Sequence, residues 1–164
     1  MNFQKITADF AAQHVRAQTD LQTDQLFSKE IRKKMGDAGL FRIGLPESYG
    51  GNNGSHLDLL QAGEIFVRDG RDLGLGVSWI FQQIIARHLL GTFGMPKQCD
   101  QYLRAAACGK CMLSFAVSEP GRGATPKNLT TKATRQGRSY FLQGEKRYLT
   151  NGPIADIFIV IAVT

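Results

Sequence analysis

The spacing of apolar residues changes at Cys111, and that change constrains the fold more than any other feature of the chain. Upstream, apolar side chains recur every three or four residues, the period of amphipathic helices. Residues 1–18 place Phe3, Ile6, Phe10, His14 and Ala17 on one stripe, with His14 read as a structural histidine. A second helix, capped at Asp24, is predicted to bury Phe27, Ile31, Met35 and Ala38 and to stop at Gly39. Ser55 caps a third that runs through Leu59, Leu60, Ala62, Phe66 and Val67 to Gly70. The fourth, from about Leu75 to Leu90, has a broad apolar face of Val77, Ile80, Phe81, Ile84, Ile85, His88 and Leu89. Trp79, Gln82 and Gln83 are expected on its other side. Pro96 opens a fifth, which carries Cys99, Tyr102, Leu103 and Ala106 to Gly109.

Downstream of Cys111 the pattern is that of strands. Leu113, Phe115 and Val117 alternate with small or polar residues, then Ser118 to Pro126 is too rich in glycine and proline for regular structure. Further strand-like runs are Leu129 to Arg135, Ser139 to Gln143 leading into Arg147 to Thr150, and Ile157 to Val163. The expected fold class is α+β: an all-α helical bundle over residues 1–111, then an incomplete antiparallel β-barrel-like domain over residues 112–164.

Charge separates the two parts as well. Residues 1–112 carry 13 basic and 11 acidic side chains, and residues 113–164 carry 7 and 3, so most of the net +6 lies on the strands. That excess suits a phosphorylated ligand or a solvated face. No basic run exceeds Arg32-Lys33-Lys34 and no nucleic-acid module is visible, which argues against nucleic acid as partner. The amino terminus lacks the pattern of a signal peptide. No apolar run reaches the roughly 18 residues of a membrane span. A cytoplasmic protein is the expectation. Three cysteines argue against a disulfide framework. Cys108-Gly109-Lys110-Cys111 spells C-x-x-C, but it closes a helix, whereas a redox pair wants a helix amino terminus. Zinc would want two further ligands, which His88 and Cys99 do not supply as a recognisable pair.

A strand that ends in a glycine-bearing loop can bring backbone N–H groups against a ligand. Ser118-Glu119-Pro120-Gly121-Arg122-Gly123, followed by Gln143-Gly144-Glu145-Lys146-Arg147-Tyr148-Leu149-Thr150-Asn151-Gly152 and then the apolar run from Ala155, resembles the start of the middle domain of the acyl-CoA dehydrogenase family. Pro46-Glu47-Ser48-Tyr49-Gly50-Gly51 is similar to a loop between that family's amino-terminal helices, one that comes near the bound substrate. The resemblance covers nearly the whole chain but less than half of a full-length member.

The resemblance implies FAD as cofactor and an acyl-CoA or other acyl thioester as substrate. The implied reaction is α,β-dehydrogenation, with an electron-transfer flavoprotein taking the electrons. It puts Phe115 beside the flavin, Val117 and Ser118 at the pyrimidine edge, Gly123 at the phosphates, and Tyr148, Leu149 and Thr150 along the ring. A Ser118 hydroxyl suits an edge that both donates and accepts. Phe115 and Tyr148 also read as ordinary strand aromatics, and Ser118 as a turn cap. Ala124 stands where the family often has a serine in contact with phosphate or coenzyme A, and Arg122 adds charge to the same loop, so the substrate class stays open. No catalytic residue is assigned. The family's carboxylate base, and most of its subunit interface, come from a carboxyl-terminal half that has no counterpart here. A fragment, a split enzyme completed by a complementing chain, or a remnant all fit, and a homo-oligomer is expected of the family. A flavin monooxygenase or nitroalkane oxidase of the same fold, and a non-catalytic interaction subunit, remain as alternatives.

Overall fold

The computed structural model describes residues 2–16, 27–121 and 125–164. They form two compact units, Met1–Met112 and Leu113–Thr164.

In the first unit, α1 (Phe3–Phe10) is capped by Asn2, whose side chain accepts from the Lys5 N–H, and runs on through a π-helical turn, Ala11–Val15. α2 (Lys29–Asp37) is capped by Ser28, which accepts from the Ile31 N–H at 3.2 Å. The expected cap Asp24, and Ala17 on the first stripe, lie outside the described residues. Phe27 stands before α2 at φ +65°, buried edge-on against Phe41, and not on the helix's apolar face. The Ser28 hydroxyl sets the start of the helix one residue beyond it. α3 (His56–Gly70) opens on a full capping box between Ser55 and Asp58. α4 (Leu73–Ile84) is capped by Asp72 and continues through a π-helical turn, Ile85–Leu90, into α5 (Gly91–Phe93). α6 (Pro96–Gln98), a π-helical turn (Cys99–Leu103) and α7 (Arg104–Ala107) complete the unit. Cys108 follows the last turn of α7 and is exposed, Cys111 is buried, and neither is in a disulfide.

The fourth helix corrects the expectation about its faces. Trp79, Gln82 and Gln83 are buried, at 0%, 0% and 1% exposure, whereas Val77, Phe81 and Ile84 of the expected face are 38–41% exposed and only Ile85 of the residues named for that face is fully buried, at 2%. A helix apolar on most of its circumference does not announce which side is the core. The amides decide it, because a buried amide is tolerated only where carbonyls await it. Gln83 Nε2 donates to the Phe41 and Ile43 carbonyls at 3.2 and 2.7 Å, and Gln82 Nε2 to the Cys111 carbonyl at 3.0 Å. Trp79 Nε1 donates to the Leu40 carbonyl at 3.3 Å, and its ring stacks on Phe66, which stacks in turn on Phe10. These contacts tie α4 to the 40–43 segment and to α3, and α3 in turn to α1.

In the second unit the described strands are β1 (Leu113–Ala116), β2 (Lys132–Gln136), β3 (Ser139–Gln143) and β4 (Ile157–Val160). β2 and β3 form an antiparallel hairpin, Lys132 opposite Gln143, turning at Gly137 with φ +62°. β1 and β4 pair in parallel, Leu113 opposite Ile157. That departs from an all-antiparallel reading. β4 follows β1 only after the hairpin and a crossing segment have reversed the chain, and a parallel partner requires such a long connection. An isolated parallel bridge, Lys132 to Val163, links the pairs. No closed barrel is present among the described residues, and two short pairs joined at one bridge are too few strands to close one.

Candidate functional site

Those predicted ligand residues that the structure describes lie on two segments, 115–118 and 148–150, and the second unit ties these together by backbone and side-chain bonds. On β1, Ser114 is fully buried and its Oγ donates to the Thr150 carbonyl at 2.8 Å. Phe115, half-buried, projects from the opposite face of the strand. Beyond β1, successive carbonyls are taken in turn. Ala116 O accepts from the Ile161 N–H at 3.0 Å, Val117 O from Lys146 Nζ at 2.9 Å, and Ser118 O from the Arg147 N–H at 2.9 Å. With those carbonyls engaged, what this segment offers a ligand is chiefly donors, its N–H groups and the Ser118 hydroxyl.

Opposite it, Tyr148 is 90% exposed at φ +58°, while Leu149 and Thr150 are half-buried. Asn151, at φ +64°, is the third residue of a tight turn in which the Gly152 N–H bonds back to the Leu149 carbonyl at 2.9 Å. The structure thus brings Val117 and Ser118 to the segment that carries Tyr148, Leu149 and Thr150. It does not gather Phe115 with them by any hydrogen bond. A groove of about 430 Å3 in this unit lies elsewhere, lined by Lys132, Thr134, Arg135, Tyr140 and Val163 among others. Gly123 and Ala124 are outside the described residues.

Glu119 is the junction of the arrangement, and reading residue types alone assigned it no role. Its side chain is 1% exposed and accepts five hydrogen bonds. Thr130 gives its N–H and hydroxyl to Oε2, both at 2.7 Å, and Thr131 gives its N–H and hydroxyl to Oε1 at 2.8 and 2.6 Å. Lys146 Nζ completes the set at 3.0 Å, with its own side chain 9% exposed. The Thr131 hydroxyl first, then the Thr130 hydroxyl and the two N–H groups, hold the Glu119 carboxyl far below the usual carboxylate range, against burial, which pushes the other way. Gly144 fits this corner because a side chain there would run into the Thr131 backbone and hydroxyl. The signal was a Ser-Glu-Pro turn with two adjacent threonines and, among three downstream lysines, Lys146, none of which names its partner.

Comparison with known proteins gives this geometry a context. The family described as "Acyl-CoA dehydrogenase, N-terminal domain" matches residues 1–110, and "Acyl-CoA dehydrogenase, middle domain" matches residues 114–164. The chain is 31% identical to the mitochondrial long-chain specific acyl-CoA dehydrogenase of Rattus norvegicus over 137 residues, 84% of this chain and 31% of that one. A solved chain described under the electron transferring flavoprotein of Acidaminococcus fermentans superposes with a TM-score of 0.89 at 28% identity, over 99% of this chain and 42% of that one. The FAD complex of PigA gives 0.85 at 28% identity, over 96% and 42%. The chain therefore spans well under half the length of these relatives. Consecutive domain families of one enzyme match in order along almost all of the sequence, and the chain belongs to the acyl-CoA dehydrogenase family.

Proposed function

We propose that residues 112–164 form one side of an FAD site, and that residues 1–111 are the helical domain against which an acyl thioester such as acyl-CoA is held. The reaction proposed is α,β-dehydrogenation, with electrons leaving to an electron-transfer flavoprotein. The observation that carries this reading is the joining of 117–118 to 148–150 through Lys146, Arg147 and Ser114. The donor set supports the cofactor, since a segment with its carbonyls engaged suits the acceptor-rich edge of an isoalloxazine. A relative solved as an FAD complex supports it independently.

When bound, FAD would supply the acceptor for the hydride that leaves the substrate. The chain's own residues would bind and orient it. Val117 and Ser118 would meet the ring's polar edge, Thr150 would offer a hydroxyl to its reacting edge, and Phe115, Tyr148 and Leu149 would supply apolar contact. Gly123 would admit the phosphates to the loop and Ala124 would border both phosphate and substrate. Glu119 is no candidate base. Its lone pairs are occupied and its carboxyl is held ionised and weakly basic. Glu145 is exposed and paired with Arg147. The base is therefore proposed to come from beyond these residues, from the rest of a longer polypeptide, a complementing chain or a second copy. Such a complement would also extend the two strand pairs toward a barrel-like sheet.

Titration of FAD into the purified chain, followed by quenching of flavin fluorescence, tests the reading. Saturable binding weakened by Ser118→Ala and Thr150→Ala is expected. Absence of saturable binding, or variants that bind as tightly as the parent, would overturn it.

A further inference from the structure

Lys146 is a cation placed where burial makes it expensive. Its side chain is 9% exposed, and it belongs to neither of the segments proposed to line the flavin. Its ammonium bridges two acceptors on one stretch, the Val117 carbonyl at 2.9 Å and Glu119 Oε1 at 3.0 Å. Its own chain continues directly into Arg147, whose N–H takes the Ser118 carbonyl at 2.9 Å, and then into Tyr148 to Thr150. Glu119 is in turn immobilised by four hydrogen bonds from Thr130 and Thr131, on a third segment. A buried pair of this kind is weak evidence of stabilisation, because desolvation offsets much of the attraction. What it does supply is geometry. Charge-assisted hydrogen bonds are short and directional, and here they fix the distance between two segments that share no strand pairing.

We propose that Lys146, anchored by Glu119, is a positioning residue of the flavin site: it sets the separation and register of 117–118 against 148–150, so that the ring's two sides are held ready before the cofactor arrives. The proposal rests on the flavin reading above and adds a role for residues that do not line the ring. Without the ammonium, the Val117 carbonyl is released and the Glu119 carboxylate keeps its four threonine bonds, so the fold survives while the cradle loosens. Preorganisation of this kind appears in affinity, because the loosened site must be ordered at the expense of binding.

The test is FAD affinity, by fluorescence quenching, together with the visible spectrum of the bound flavin, for the parent chain, Lys146→Met, Lys146→Arg and Arg138→Met. Arg138 is exposed on the hairpin turn and removes the same charge from the same unit without touching the clamp. Lys146→Met is expected to weaken FAD binding about tenfold or more and to blur the vibrational structure of the bound flavin's absorption band. Lys146→Arg should recover part of both, and Arg138→Met should stay within about twofold of the parent. Thr131→Val, which removes one donor from Glu119, should move affinity and spectrum in the direction of Lys146→Met, and it decides the matter if Lys146→Met does not fold. FAD bound by the parent but held equally well by Lys146→Met or Thr131→Val overturns the positioning role alone. An Arg138→Met loss equal to that of Lys146→Met also overturns it, in favour of charge attraction. A parent chain that binds no FAD overturns this proposal and the flavin reading together.

Discussion

Ser114 and Thr150 are 36 residues apart in sequence, and the Ser114 hydroxyl donates to the Thr150 carbonyl across 2.8 Å from a fully buried position on β1. The bond pins the end of the 148–150 segment to the strand that begins the unit. Ser114→Ala removes the donor and leaves a part-buried carbonyl without it. We expect a loss of about 1 kcal/mol in the stability of the second unit, read as a shift in denaturant midpoint with unchanged slope. Because Thr150 carries a proposed ring contact, FAD affinity should fall as well. Unchanged stability in Ser114→Ala would mean the bond contributes nothing net.

Gly36 lies inside α2, where alanine would be the better helix former by about 1 kcal/mol. Its position nevertheless demands glycine, since an added Cβ would collide with the Cys108 carbonyl and come within 2.9 Å of the carbon that bears it. Backbone atoms cannot swing aside as a side-chain end can. Overpacking costs about 1–3 kcal/mol and outweighs the propensity gain. Gly36→Ala should therefore lower the thermal midpoint of the helical unit, and a raised midpoint would refute the close approach of α2 to the end of α7.

Acid should loosen the second unit through Glu119. Its carboxyl titrates far below the ordinary 4.5 in the fold because the Thr131 hydroxyl, the Thr130 hydroxyl and two N–H groups all favour the charged form. The unfolded chain, with an ordinary glutamate, takes up a proton near that value while the folded chain does not. Unfolding therefore binds a proton below about pH 4.5, and the stability this carboxylate supplies, complete at higher pH, drains away as pH falls toward its depressed value. Glu119→Gln should flatten that part of the stability–pH profile, measured by denaturant unfolding at a series of pH values. A profile equally steep in the variant would assign the acid sensitivity to other groups.

How much of this was legible in the sequence depends on the kind of signal. The cap at Ser55 is written in the residues around it, and so are the strand-like runs on either side of Gly137 that the structure pairs as β2 and β3. The break after Val117 was legible for the same reason. Partners far apart were not. Nothing near Glu119 names Lys146, 27 residues on, and nothing in Phe27 tells that it leaves the helix before Ser28 caps it. The parallel pairing of β1 with β4 depends on how the chain crosses between them, which alternation alone cannot encode. The faces of α4 failed for a different reason, that apolar residues surround most of it and the deciding groups were two amides.

That last point gives a direct comparison between two aromatic residues on one helix. Trp79 is 0% exposed, stacks on Phe66 with ring centroids 5.5 Å apart and donates to the Leu40 carbonyl, whereas Phe81, two residues on, is 41% exposed. By hydrophobicity the two read alike, and the periodic face drawn from the sequence favours Phe81 as core. Burial reverses the order. Trp79→Ala removes a large buried ring, its stacking and a hydrogen-bond donor, and should cost about 3–5 kcal/mol, enough to unfold a marginal unit. Phe81→Ser gives up only partly exposed surface and should cost about 1 kcal/mol or less. Far-UV circular dichroism through a urea series, on the two variants side by side, measures the difference. Equal destabilisation, or a larger effect at Phe81, would mean that α4 is rotated from the orientation its amides dictate.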